Sequence, residues 1–317
     1  MLQIFVNTNY DFIGKRRWAY LISIIVTLAG LAHIAWQGGL RYGIDFSGGT
    51  LVQVRFQQVT TVDAVRKALD RVSLGDSIIQ EFGDAQEYLV RIPAASGALE
   101  ETSKKVEQGL REAGLPGFEV RRLEFVGPQV GRDLQLQAVY AVLAGMAGIL
   151  IYTALRFDFR GGVAAILALL HDVLVALAAI SLTNREMSLP VLAALLTIVG
   201  YSINDTIVVF DRIRETRGRG LRKGETLADV INTAINQTLS RTILTSLTVF
   251  LVVAILYAAG GEVLRDFAFA LLVGVVTGTY SSVFVAAPII VDWDNWIQAR
   301  QRQRGGKKAV VKAGAGR

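Results

Sequence analysis

Six apolar stretches dominate this chain: roughly Trp18–Trp36, Gln137–Leu155, Gly162–Leu182, Leu189–Phe210, Thr242–Ala259 and Phe267–Val291. Each is close to the ~20 residues a helix needs to cross a bilayer. Nothing else in the sequence restricts the fold as strongly, because a span in lipid must satisfy its own backbone polar groups. Composition agrees. Of 317 residues, 52% are hydrophobic and 19% charged, against about 25% charged in ordinary soluble domains. Mean hydropathy is +0.42. The first stretch follows Lys15, Arg16 and Arg17 and has the outline of a signal peptide. It is long for one, and the Gln37-Gly-Gly-Leu-Arg that follows lacks a small-x-small cleavage site, so it reads as a retained anchor. Trp18, Tyr20 and Trp36 mark its ends, where aromatic belts form. The expected class is a polytopic α-helical membrane protein of six transmembrane helices.

A net charge of +6 is compatible with nucleic-acid binding, but the basic residues cluster beside the apolar stretches. That is the pattern of membrane topology. Arg156 and Arg160 fill the turn after the second span. Arg212, Arg214, Arg217, Arg219, Arg222 and Lys223 follow the fourth, and Arg300, Arg302, Arg304, Lys307, Lys308 and Lys312 populate the tail. The turns at 183–188 and 260–266 balance their single arginines with acids. The positive-inside rule therefore puts the N-terminus (1–17), the loop 211–241 and the basic tail (292–317) in the cytoplasm. Both termini face inward, and residues 37–133 lie outside. There is no cysteine and only two histidines, His33 and His171. Disulfide frameworks, thiolate chemistry and histidine-rich metal sites are thereby disfavoured. No cofactor, metal site or catalytic residue is expected.

Residues 37–133 pattern like a small soluble α+β domain. A strand lies within Ile44–Phe56, a helix over Thr61–Val72, strands at Ser77–Phe82 and Glu87–Ile92, a helix over Leu99–Ala113 and a strand over Phe118–Phe125. That order, βαββαβ, is the ferredoxin-like pattern. Gly48-Gly49 invites a phosphate-loop reading, but no Gly-Lys-Ser/Thr element and no helix follow. The glycines instead suit a bend or bulge at a strand entry. Gly127-Pro-Gln-Val-Gly131 reads as a rigid link from domain to membrane.

Within the spans the polar residues stand out. Asp205 lies in the fourth, where a carboxylate costs on the order of 2.5–3.5 kcal/mol to insert, and such residues mark ion or proton paths. The alternative is a structural carboxylate in a helix–helix contact. Tyr201, Ser202 and Asp205 share a face, with Asn204 beside it. Arg241, Thr245 and Thr248 share a face of the fifth span. Asp205 sits five residues before the end of its span, about 8 Å of helix rise, where Arg241 could reach it. His171-Asp172 places two ionisable groups in the third span. Ala165, Ala168, Asp172, Ala176 and Ala179 form a small-residue face there that favours close packing. Asp172 fits a packing carboxylate as well as a transport role. Gly274 and Gly278 form a GxxxG in the sixth span, with Thr277 and Ser281 adjacent. Thr226-Leu-Ala-Asp229 fits a capping box, opening an amphipathic helix within 211–241 at the inner interface.

The motifs GIDFSGGT at 43–50, VGPQVGRDL at 126–134, HD at 171–172, VGYSINDTIVVFDRIRE at 199–215 and SRTILTSL at 240–247 resemble the SecD/SecF family of bacterial protein export, within the resistance–nodulation–division superfamily. The resemblance spans about residues 10–295. It implies a bacterial inner-membrane protein paired 1:1 with SecD. It also implies that the proton motive force assists preproteins through the SecYEG channel and releases them. It places functional weight on Asp205 and Arg241. One rival is half of a superfamily exporter of small molecules or lipids, although such chains usually carry twelve spans. Another is an intramembrane protease using Asp172 and Asp205 as a dyad, disfavoured by an offset of about 7 Å along the membrane normal from helix rise. A third is a passive translocon scaffold. The tail beyond Arg300 is expected to be disordered.

Overall fold

A computed structural model of the protein describes residues 8–93, 99–115, 117–220 and 224–314. Arg222 and Lys223, counted above toward the cytoplasmic charge, lie outside them. Helix α1 (Arg16–Trp36) leads into a compact domain. Its elements are α2 (Ile44–Ser47), β1 (Gly49–Phe56), α3 (Val62–Asp70), β2 (Ile78–Phe82), β3 (Asp84–Ile92), α4 (Leu99–Glu112) and β4 (Phe118–Val126). Four long helices follow: α5 (Pro128–Arg156), α6 (Phe159–Leu182), α7 (Leu189–Gly218) and α8 (Leu227–Ala259). The last run is α9 (Glu262–Ser281), a π-helical segment Ser282–Ala286, and α10 (Ala287–Gly314). Six helical runs are long and apolar enough to cross a membrane.

The four strands form one antiparallel sheet in the order β2-β3-β1-β4. Alternate β1 residues Val52, Val54 and Phe56 turn toward α3 and α4. There they pack with Val65, Leu69, Tyr88, Val90, Val106 and Leu110 in a closed core. The other sheet face is mixed: Leu51 and Leu89 form a small buried cluster with Ile44, and Gln53 and Arg121 sit on the Glu87 carboxylate.

The strand expected within Ile44–Phe56 occupies Gly49–Phe56. Ile44–Ser47 forms one helical turn, and the chain enters β1 only at Gly49. The turn drives Phe46, 3% exposed, into the membrane bundle against Ala176, Ile180 and Met187, where a strand would have sent it elsewhere. Gly48 follows at φ +69°, and a Cβ there would lie 2.9 Å from Pro128 Cα. A Cβ on Gly131 would lie 2.8 Å from the Phe46 carbonyl oxygen. The two glycine motifs thus pack on each other. The stretch at Gly127–Gly131, read as a separate link, is the start of α5, with Gly127 at its N-cap and Pro128 in its first turn.

The turn between α6 and α7 docks on the same seat. Gly43 N–H donates to the Met187 carbonyl at 2.8 Å, and Met187 N–H to that of Arg41 at 2.7 Å. The Asp45 carboxylate accepts from Leu189 N–H at 2.8 Å, at the first turn of α7. Arg91 of β3 forms an ion pair with Glu186. Burial pushes the Arg91 guanidinium down to about 10, with Asp266 and Asp45 opposing the shift.

At the far end of the bundle two expectations change. Helix α7 continues past the apolar window to Gly218. The amphipathic segment of 211–241 is not a separate interfacial helix but the first half of α8. No glycine or proline interrupts Leu227–Ala259, so nothing ends the helix. Thr226 and Asp229 form the expected capping box. On the apolar face Val230 is buried, and Ile231, Ala234 and Ile235 share a core with Phe210, Ile213 and Ile13. Asn232 and Asn236 grip the backbone of the N-terminal strap at Tyr10 and Phe12. The tail, expected to be disordered, continues as helix to Gly314. The π segment precedes Pro288, whose ring would clash with the carbonyl four residues back in a regular helix.

Candidate functional site in the membrane bundle

Helices α6, α7 and the α9 run bury about half of their spanning surface, whereas α1, α5 and α8 bury far less. The polar residues collect where the buried helices cross. The α9 glycines set that crossing. A Cβ on Gly274 would lie 2.2 Å from Ile198 Cγ1, and one on Gly278 would lie 3.0 Å from Ser202 Cβ. Close approach of α9 to α7 brings hydroxyls of both helices onto one carboxylate of α6. Asp172, 0% exposed, accepts from Ser202 Oγ at 2.5 Å and Ser281 Oγ at 2.7 Å, with His171 Nδ1 at 3.0 Å from its other oxygen. Ala165, Ala168 and Ala176 of the same stripe are fully buried beside it.

Asp205, 2% exposed, faces α8 instead. Its Oδ2 accepts from Ser246 Oγ at 3.1 Å, and Ser246 in turn accepts from Thr279 Oγ1 at 2.6 Å. Thr206 pairs with Ser282 at 2.9 Å. The two aspartates therefore bind different hydroxyls, and both networks end on the single stretch Thr279–Ser282. Sequence reasoning named Ser202 but passed over Ser246, Thr279, Ser282 and Thr206. The available signal was the density of hydroxyls in TGTYSS, residues 277–282, inside an apolar span.

The stripe of Arg241, Thr245 and Thr248 occupies a different face of α8 from Thr242 and Ser246. Thr242 and Ser246 are buried, while Arg241 and Thr248 are exposed on the chain. Thr245 Oγ1 donates to the carbonyls of Arg241 and Thr242, and Thr248 Oγ1 to that of Thr245. Arg241 lies in a polar cleft of about 500 Å³ with Asn204, Asp211, Arg212 and Gln237. Among the described residues it closes no ion pair with Asp205. Tyr201, on the Asp205 helix, has a buried hydroxyl with no hydrogen-bond partner among the described residues.

A carboxylate offers about four acceptor positions. Asp172 has three described partners, whereas Asp205 has Ser246 at 3.1 Å with Thr245 beside it. The first is built as a tie between helices. The second is a buried carboxylate with spare capacity beside a polar cleft.

Against known proteins, residues 105–296 match the family described as protein export membrane protein SecD/SecF, C-terminal, and residues 36–58 match the SecD/SecF GG motif. The protein translocase subunit SecF of Desulfurispirillum indicum is 47% identical over 287 residues, 89% of this chain and 91% of that protein. That of Magnetococcus marinus is 46% identical over 299 residues, 92% and 95%. The crystal structure of SecDF, a translocon-associated membrane protein from Thermus, superposes with TM-score 0.82 at 40% identity. It covers 91% of this chain, which spans 39% of that longer one.

Proposed function

The chain belongs to the SecD/SecF family of protein-export membrane proteins, and from that premise we propose that it is the proton-coupled subunit of a SecD-paired export motor. In this reading it lies in the bacterial inner membrane with both termini in the cytoplasm. The proton motive force, acting through it, helps preproteins leave the SecYEG channel. It is not an enzyme.

The observation that carries the reading is Asp205: almost fully buried in a membrane-spanning helix, held by neutral hydroxyls of α8, Ser246 with Thr245 beside it, and by no ion pair among the described residues. A proton arriving there neutralises the carboxylate and weakens its attraction for Arg241 across the cleft. Membrane potential supplies about 2.3 kcal/mol per proton per 100 mV, enough to bias a two-state element more than tenfold. Two sets of contacts favour transmission to the outer domain. Ser246–Thr279 joins α8 to α9 near the π segment. Asp45 and the Arg91–Glu186 pair hold the other end of α7 to the domain. Asn204, Arg241 and Thr248 are exposed on this chain, and in this reading SecD packs over them.

The test is Asp205→Asn, which keeps shape and one acceptor oxygen but removes titration. In vesicles with an imposed proton gradient, the variant should fold, bind SecD and lose the gradient-dependent stimulation of export. Normal stimulation would refute proton coupling at Asp205 and leave a scaffold role.

A further inference from the structure

At the end of the bundle away from the outer domain, a cavity of about 290 Å³ opens between the α5–α6 turn, α7 and α10. Phe157 and Phe210, edge to face at 5.7 Å, form its floor with Ile213 and Ile290. Arg214 and Arg217, three residues apart and so on one face of α7, stand in its wall. Their neighbours all carry ion pairs, although one carboxylate serves two of them. Arg156 pairs with Asp211 at 2.6 Å, Arg160 with Asp294 at 3.1 Å, and Arg212 and Arg219 share Glu215. Among the described residues, Arg214 and Arg217 form no ion pair. Arg214 donates only to the Arg156 backbone carbonyl, at 3.1 Å. Asp158 also lines the cavity, but its carboxylate caps α6 through Gly161 N–H at 2.6 Å.

We infer that this cavity is a binding site for an anionic phospholipid. The headgroup phosphate is held by Arg214 and Arg217, and the start of the acyl chains lies over Phe157, Phe210, Ile213 and Ile290. Charge and depth together select this occupant. Two uncompensated guanidiniums match a phosphate diester, which guanidinium forks bind well. The apolar floor continues from spanning helices, where acyl chains lie. Basic pockets between spans at a membrane surface bind such headgroups. The volume suits a phosphate and its first carbons rather than a whole lipid. The proposed orientation matters only for which leaflet supplies the lipid.

The full chain, co-purified with its SecD partner in mild detergent, is offered phosphatidylglycerol, phosphatidylethanolamine with the same acyl chains, or inorganic phosphate. Retained lipid is read by native mass spectrometry. Phosphatidylglycerol should be retained over phosphatidylethanolamine. Arg214→Gln/Arg217→Gln should lower its retention about 25-fold, about fivefold for each arginine, with phosphatidylethanolamine, whose ammonium offsets its phosphate, lowered less. Lys15→Gln/Arg17→Gln removes the same charge from the start of α1 and should leave retention intact. Equal retention of the two lipids, or equal loss in both double variants, overturns the site. Displacement by inorganic phosphate would make a free anion the ligand and overturn the lipid assignment. No export is measured, so failure here leaves the Asp205 reading standing, and failure of that reading leaves the lipid site untouched.

Discussion

Asp172 and Asp205 lie in the same buried bundle but differ in how their oxygens are satisfied. Removing the Asp172 carboxylate strands the buried Ser202 hydroxyl and removes the tie to Ser281 and His171, and a buried group left unpaired costs about 1–3 kcal/mol. Asp172→Ala should therefore lower the melting temperature in detergent well below that of Asp205→Ala, after which Ser246 still pairs with Thr279. Equal losses would show that Asp172 is not the tie. In export the ranking should invert: Asp172→Asn keeps an acceptor and should be mild, whereas Asp205→Asn removes the titrating group. Arg241→Met should resemble Asp205→Asn. Arg241→Lys keeps the charge on a different head and should retain part of the activity, measured in the same gradient-driven vesicles.

Two kinds of contact position the elements. The first is α9 on α7. Gly274→Leu would force a side chain where even a Cβ meets Ile198 at 2.2 Å, and overpacking of this kind costs about 1–3 kcal/mol. Gly200→Ala meets nothing within 4 Å and should be neutral or stabilising by up to ~1 kcal/mol through helix propensity. Thermal unfolding of the two variants checks the glycine-set crossing, and similar effects would contradict it. The second contact is the outer domain on the α6–α7 turn. Arg91 and Glu186 are 15% and 14% exposed, so removing one leaves the other poorly solvated. Arg91→Glu and Glu186→Arg should each loosen the domain from the bundle, and the double swap should restore it. Spin-label distances between β2 and the start of α7 report this directly. A swap no better than the single changes would mean the pair does not hold the seat.

The proposed assembly is larger than this chain. Helices α1, α5 and α8 leave most of their apolar spanning surface uncovered by the rest of the chain. Co-purification with SecD at 1:1 is the expected outcome in mild detergent, and a stable, active monomer would count against it. Orientation can be read on the same protein because it has no cysteine. Glu119→Cys on β4 should react with a membrane-impermeant thiol reagent in intact cells, and Arg219→Cys after α7 should not. The opposite pattern would reverse the proposed topology.

Much of this architecture was legible from composition and local pattern. Apolar length marks spans because the bilayer demands it. Period-2 and period-3.6 alternation marked the strands and helices of the outer domain. Asp172, Asp205 and Arg241 stood out because charge is costly in lipid. The GxxxG predicted close packing but not its target on α7. Other features depended on residues far apart in the chain. Phe46 precedes the strand in a helical turn, and its pocket is in the bundle. The amphipathic segment joins α8 because its apolar face finds protein rather than lipid. Ser246, Thr279 and Ser281 became partners of the aspartates only through the rotation and approach of α7, α8 and α9. Helical periodicity says which residues share a face, whereas side-chain packing between helices chooses what that face meets.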